Sequence, residues 1–547
     1  MSEKRTATLA GPTLLDRALI CGSVALIAFL LTQLLMFGYG RDQGIYAMVA
    51  DAVVRGKMPY RDAWDFKPPG IFVVYAASRT LFGPAQNGIR ILEALGLVLM
   101  SAAMVRLGER FLKSRSMGFV AAALAVNAHV QLDFWHTAQP ESFGGMLTIF
   151  ALLLAAPTED QPLPGPRALF FAGCLFGMAG LLKPPLAGGG AVLALWLAHR
   201  IWKSPRDLPR RRRLKEAARP ALFVAAGGVF PIFLCALWFL GRGALGDLHR
   251  VLFVFTPHYT RLGWEGSTLP GMVYWGFTEW LQNYGSSLTI GLLLALGFGA
   301  DKKQRAWLSL FLGVVGIHLV GVIMQGKFFP YHYGATWPVT AMLAAYGFQR
   351  LRERLARWNR RGELVFAACL IVSGLGRSAT KDVEDSFFKR CQKRVRIAWG
   401  GFRDQDTLDK LSSAGGVNAD QNRKVAEWLR ENTPADRPIF VWGFEPVIYD
   451  LADRRPASRF IYNVPQRVEW SKAPMRETLL RDLAATPPHA VVVEHGDAIS
   501  MVTGDNVDSA GTLFDWWDFY VFLQKYDLVT TIDQMDVYIE KPSPASK

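Results

Sequence analysis

"GYGRDQGIYAMVADAVVRGKMPYRDAWDFKPPGIF", residues 38–72, follows the first long apolar run of the chain, and how it is read decides the fold. It is too polar to span a bilayer and too apolar for an ordinary linker. From Asp42 onward, Ile45, Met48, Val49, Ala52 and Val53 recur at helical spacing, while Gln43, Asp51 and Arg55 take other positions. That pattern predicts a short amphipathic helix lying in a membrane interface. Asp42 stands at its start, where a carboxylate serves as a cap and dipole partner as readily as it does chemistry. Its company favours chemistry: "PYRDAWDFKPPG" (59–70) adds Asp62, Asp65 and Lys67 in a turn stiffened by Pro68 and Pro69. Lys67 suits either snorkelling toward head groups or a grip on a lipid phosphate.

On either side of this stretch the chain is rich in apolar runs. Of 547 residues, 51% are hydrophobic, and a mean hydropathy of +0.16 exceeds what a soluble chain of this length ordinarily carries. Runs of near-spanning length lie at 18–38, 86–107, 117–134, 140–156, 167–182, 185–200, 220–241, 285–300, 306–324, 332–349 and 363–376. They predict an α-helical polytopic membrane protein with about eleven transmembrane helices, the shorter ones completed by flanking residues. Net charge is +15, but the Lys and Arg cluster between runs on one side: "MSEKR", "ERFLKSR" (109–115), "RRRRLK" (210–215), "DKKQR" (301–305) and "RLRERLARWNRR" (350–361). This is a topology signal rather than a nucleic-acid patch, with the N-terminus cytoplasmic. An odd number of spans puts the C-terminus outside, at a bacterial inner membrane in the periplasm. The first run reads as a retained anchor. Five cysteines occur singly, without metal or disulfide spacing.

Residues 1–376 thus form the membrane domain and 377–547 a small soluble α/β domain. The latter passes first through a charged, mobile stretch. "NADQNRKVAEWLRENTP" then predicts a helix capped by Asn418 or Asp420 and followed by Pro434. "PIFVWG" (438–443), "RFIYN" (459–463) and "AVVVE" (490–494) read as strands of a parallel sheet, with "LVTTI" and "DVYIE" last. No GxGxxG or Walker pattern appears, so nucleotide binding is not expected.

The outer loops gather carboxylate, imidazole and lysine, as a cavity at one membrane face requires. "LDFWHTAQPESFGG" (132–145) contributes Asp133, His136 and Glu141, with Pro140 at a helix start. "LLKPPL" (181–186) contributes Lys183, and "QGKFFPYHYGATWP" (325–338) contributes Lys327, Tyr331, His332 and Tyr333. The long outer segment 243–283, with His249, His258, Tyr259, Trp264 and Glu265, reads as a lid or acceptor surface. The ordinary alternative for each is a cap, a snorkelling lysine or an interfacial aromatic belt.

Taken together, "GRDQGIYAMVADAVVRGKMPYRDAWDFKPPGIFVVYA", "FGPAQNGIRILEALG" (82–96), "QPESFGGMLTIFALLLA" and "KFFPYHYGATWP" resemble the GT-C membrane glycosyltransferases, over residues 14–350. The branch they resemble is that of the protein O-mannosyltransferases and the lipid A aminoarabinose transferase. The resemblance implies transfer of a sugar from a polyprenyl-phosphate donor to a glycolipid, polysaccharide or protein acceptor, with inversion. It places Asp42 as the catalytic carboxylate and Lys67 on the donor phosphate. Arg90 matches the arginine that begins the next span, in a phosphate-binding or structural role, and Lys327 is a further candidate for the phosphate. Asp62, Asp65, Asp133, His136, Glu141, Lys183, Tyr331 and His332 are secondary polar candidates. Relatives carry Asp-Glu where this chain has Asp42-Gln43, so a divalent cation is left open as a cofactor. A transporter or flippase of a lipid-linked sugar, which needs polar groups along its spans, and a non-catalytic envelope assembly protein are the rival readings.

Overall fold

The computed structural model describes residues 13–157, 163–203, 209–299, 302–374 and 385–542. The N-terminal "MSEKR", parts of the basic segments at 205–208 and 301, and residues 377–384 of the charged stretch lie outside the described residues. Each apolar run falls on a helix: Leu14–Leu34, Asn87–Phe111, Arg115–Val130, Pro140–Leu154, Pro166–Leu182, Gly188–Trp202, Arg210–Gly241, Leu269–Gly297, Lys302–Gln325, Trp337–Leu355 and Asn359–Gly374. Among the described residues four helices are long and apolar enough to cross a membrane: Leu14–Leu34, Asn87–Phe111, Arg210–Gly241 and Gln304–Gln325.

The starts follow from local chemistry. Thr13 and Asp16 form a reciprocal capping box, Ser114 accepts from Met117 N, and Pro140 and Pro166 sit at first helical positions. Helices pack through small residues. A Cβ on Gly227 would lie 1.9 Å from the Phe170 carbonyl oxygen, so Arg210–Gly241 approaches Pro166–Leu182 backbone to backbone.

The C-terminal part carries one sheet of β1 (Ile439–Trp442), β2 (Ala490–Glu494), β3 (Tyr526–Ile532) and β4 (Met535–Glu540), ordered β1-β2-β4-β3. Strands β1 and β2 are parallel and wholly buried, as their unbroken apolar runs require. The other two pairings are antiparallel, so the sheet is mixed rather than parallel. A two-residue turn, with Asp533 at φ 51°, joins β3 directly to β4 and leaves no room for a crossover. Residues 459–463 form no strand; Phe460 makes one bridge to Trp64. The helix Ala419–Asn432 is capped by Asn418, whose side chain accepts from Gln421 N, and ends before Pro434. Earlier in the chain, Phe387–Trp399 is a packed helix, where the sequence suggests a mobile link.

Candidate active site

The site begins with the helix Arg41–Val54. Asp42 does not cap it. Gly40 is the N-cap, and the Gln43 side chain accepts from Gly40 N at 3.0 Å. Gln43 Nε2 also donates to the carbonyls of Trp135 and Thr137, both at 2.7 Å, so the residue after Asp42 is spent on holding the 132–139 loop. The helix is almost wholly buried rather than lying open at an interface, because the C-terminal part covers its polar side. Arg41 donates to Glu445 at 2.7 Å and to the Gly416 carbonyl at 3.0 Å.

Lys67 arrives from the other end of the quoted stretch. Tyr60 donates to the Lys67 carbonyl at 2.8 Å, and Lys67 N donates to Asp65 Oδ2 at 3.3 Å. Gly70 ends the turn against the bundle, where a Cβ would lie 2.7 Å from the Leu181 carbonyl. The "KPPG" spacing is therefore a packing requirement that aims the lysine. Lys67 Nζ stands 3.8 Å from Asp42 Oδ2 and faces the rings of Phe66, Tyr331 and Tyr46 at 5.6, 5.6 and 6.0 Å. Gln139 Nε2 donates to Asp42 Oδ2 at 3.3 Å, and Tyr46 donates to Gln139 Oε1 at 3.0 Å.

Asp42 and Lys67 line a cavity of about 370 Å³. The bundle supplies Phe66, Trp135, His136, Tyr259, Phe329 and Tyr331, and the C-terminal part supplies Phe444, Tyr462, Val464, Ile499 and Val502. Such a wall is apolar and aromatic with few polar groups, as small-molecule sites are. Two other ion-forming groups lie close by. Glu141, in the first turn of Pro140–Leu154, pairs with Lys183, which stands 6.0 Å from the Tyr331 ring. Burial lowers the Lys183 amine to about 8, against the pull of Glu141. Glu141 Oε2 and His332 Nδ1 are buried with no hydrogen-bond partner among the described residues. Asp65 lies behind the wall, 1% exposed, accepting from Tyr462 OH at 2.7 Å. Burial raises its carboxyl to about 6, with Lys67 and Tyr462 opposing.

Other predicted residues are drawn elsewhere. Asp133 accepts from Arg390 and Arg394, each at 2.6 Å, and holds the loop rather than a ligand. Arg90 is fully buried and spends its five N–H groups on the carbonyls of Phe37, Gly38 and Phe134, Thr137 Oγ1 and Glu93. None is left for a phosphate. Asp62 pairs with Arg61 and accepts from Met58 N, bracing its own turn. Lys327 donates to the Met501 carbonyl at 2.5 Å and lies 3.5 Å from the Tyr259 ring centre, and burial lowers its amine to about 7. The segment 243–283 brings Tyr259 to the cavity through the helix Thr256–Leu262. Sequence gave no signal for Phe444, Tyr462, Ile499 or Val502, which reach the site only through docking.

Among the described residues no three or more His, Cys, Asp or Glu side chains converge as metal ligands. Among the described residues Asp42 is the one carboxylate in the cavity wall, with an ammonium beside it. That donor set does not suit a divalent cation, which takes several oxygens.

Residues 66–207 match the family described as dolichyl-phosphate-mannose-protein mannosyltransferase. The whole structure is similar to ArnT from Cupriavidus metallidurans, at 14% identity, over 95% of this chain and 97% of that one. The TM-score is 0.54 for the form bound to undecaprenyl phosphate and 0.55 for the apo state. The chain has the GT-C fold. The archaeal oligosaccharyltransferase AglB from Archaeoglobus fulgidus is 12% identical over 88% of this chain and 70% of that one, with TM-score 0.46. The comparison with curated proteins gave no match. In this chain the stretch 38–72 and the C-terminal part together build the cavity.

Proposed function

We propose that this protein is an integral-membrane glycosyltransferase that moves a sugar from a polyprenyl-phosphate carrier to an acceptor hydroxyl. One observation carries the proposal: Asp42 and Lys67, 3.8 Å apart, share an aromatic-walled cavity at one end of an apolar helix bundle. The undecaprenyl phosphate of the similar ArnT structure supports a carrier of that class. A lipid-linked donor lies in the bilayer with its sugar at the surface, where a membrane enzyme collects it laterally.

Asp42 accepts the proton of the acceptor hydroxyl. The new oxygen–carbon bond forms at the anomeric carbon as the carbon–oxygen bond to phosphate breaks, and that electron pair leaves with the phosphate. One carboxylate suffices for a single inverting displacement, whereas a retaining mechanism needs a second, nucleophilic one. Lys67 stabilises the charge that develops on the phosphate. Glu141 and His332 are buried and do not line the cavity, so their part is to brace its Tyr331 side. No step is routed through a metal. The acceptor is a glycolipid, a polysaccharide or a protein, and the bundle crosses a bacterial inner membrane eleven times, with 377–547 as a periplasmic domain.

The test is incubation of purified protein in lipid with labelled polyprenyl-phosphate hexoses and pentoses. Release of free carrier phosphate together with labelling of an acceptor is the expected result. Movement of intact lipid-linked sugar across the bilayer, without cleavage, would replace the proposal with a flippase.

A further inference from the structure

The helix Phe387–Trp399 has two faces in different surroundings. One is buried. Arg390 and Arg394 hold Asp133, Arg394 lies 4.6 Å from the Phe37 ring centre, and Cys391 and Ile397 pack inward. These contacts pin the helix to the rim of the bundle. Phe37 closely follows the apolar helix Leu14–Leu34, and Asp133 sits between Arg115–Val130 and Pro140–Leu154. The opposite face is open. Phe388, Val395 and Trp399 are 70%, 44% and 92% exposed and recur along one stripe of the helix. Phe402, 55% exposed, continues the stripe past Gly400 and Gly401. Its backbone sits at φ 59°, a region that strains a residue bearing a side chain. Exposed Lys389, Arg396 and Arg403 flank the stripe.

We propose that this face docks on the bilayer that holds the protein. Phe388, Val395, Trp399 and Phe402 enter the upper acyl region, and Lys389, Arg396 and Arg403 meet anionic head groups. An apolar stripe with aromatic ends and basic flanks is the composition of a helix lying in the interface plane. Charge selects the lipid, because basic groups within a Debye length of an anionic surface are drawn to it. Position selects the membrane over a soluble partner. The buried face fixes the helix at the level where the first apolar helix ends, and the last bundle helix, Asn359–Gly374, precedes it in the chain. The helix is thus a belt between the bundle and the C-terminal part, held by ion pairs inside and lipid outside.

Full-length protein carries a bimane on Trp399→Cys, or separately on Phe388→Cys, with its five native cysteines replaced. It is placed in nanodiscs of phosphatidylcholine alone or mixed with phosphatidylglycerol. Nitroxide-bearing lipid should quench either label several-fold, and more strongly when phosphatidylglycerol is present. Lys389→Glu, Arg396→Glu and Arg403→Glu together should remove that lipid dependence. Labels quenched by aqueous iodide but not by lipid nitroxide would overturn the proposal. Equal quenching in both lipids would overturn it too, since no head-group charge would then be read. Protection from both quenchers with a doubled particle mass would assign the face to a second copy of the chain.

Discussion

At the residue scale, the proposed chemistry rests on a carboxylate free of capping duty. Gly40 and Gln43 close the helix start, so Asp42 is left to Lys67 and Gln139. Asp42→Asn keeps the shape and removes the proposed base. It should lower kcat by about a hundredfold or more while leaving undecaprenyl phosphate binding, measured by calorimetry, nearly unchanged. Asp65 gives a pH signature of its own. Its folded carboxyl, at about 6, holds the proton more tightly than the ordinary 3.8. This contribution to stability is therefore fully present below the lower value and is lost as pH rises through the higher. The loss amounts to about 3 kcal/mol, two units at about 1.4 kcal/mol each. Melting followed from pH 4 to 7 should show a falling Tm in the parent chain and a flatter profile in Asp65→Asn.

At the element scale, two local structures aim the site. The turn at 59–70 ends on Gly70, whose lack of a Cβ lets it meet the Leu181 backbone. Gly70→Ala should cost about 1–3 kcal/mol through overpacking and shift Lys67, so activity should fall more than Tm. The second is the 132–139 loop, strained at Asp133 with φ 67° and held by two arginines of Phe387–Trp399. Asp133→Ala leaves both guanidinium groups buried without their carboxylate, at about 3–5 kcal/mol. A large Tm drop in Asp133→Ala, absent when Arg390→Met and Arg394→Met are added, is the expected outcome. From sequence, Asp133 is one more outer-loop acid. Its partners lie more than two hundred residues away, beyond any local pattern.

At the scale of the whole molecule, the C-terminal part is built into the site. Arg41 meets Glu445, Arg79 meets Asp450 at 2.5 Å, and Trp64 N donates to the Arg459 carbonyl at 2.8 Å. Glu445→Ala removes the nearer carboxylate of the buried Arg41, which keeps Glu494 at 3.8 Å, and should cost about 1–3 kcal/mol. It should make the chain beyond Asp385 more sensitive to limited proteolysis and lower transfer, while the bundle stays folded by circular dichroism. The sequence by itself determined the helices, because apolar runs of sufficient length report their own burial. It also determined that Asp42 and Lys67 lie toward the two ends of one polar stretch between apolar runs, and that β1 and β2 are buried strands. Only the tertiary structure decided which acids face the cavity and which brace loops, since Asp42, Asp62, Asp65 and Asp133 look alike until their partners are in place. The mixed sheet and the aromatic wall contributed by Phe444 and Tyr462 were likewise decided there. Strand pairing and docking are contacts between distant segments, and hydrophobic periodicity records only that a side chain is covered, never by what.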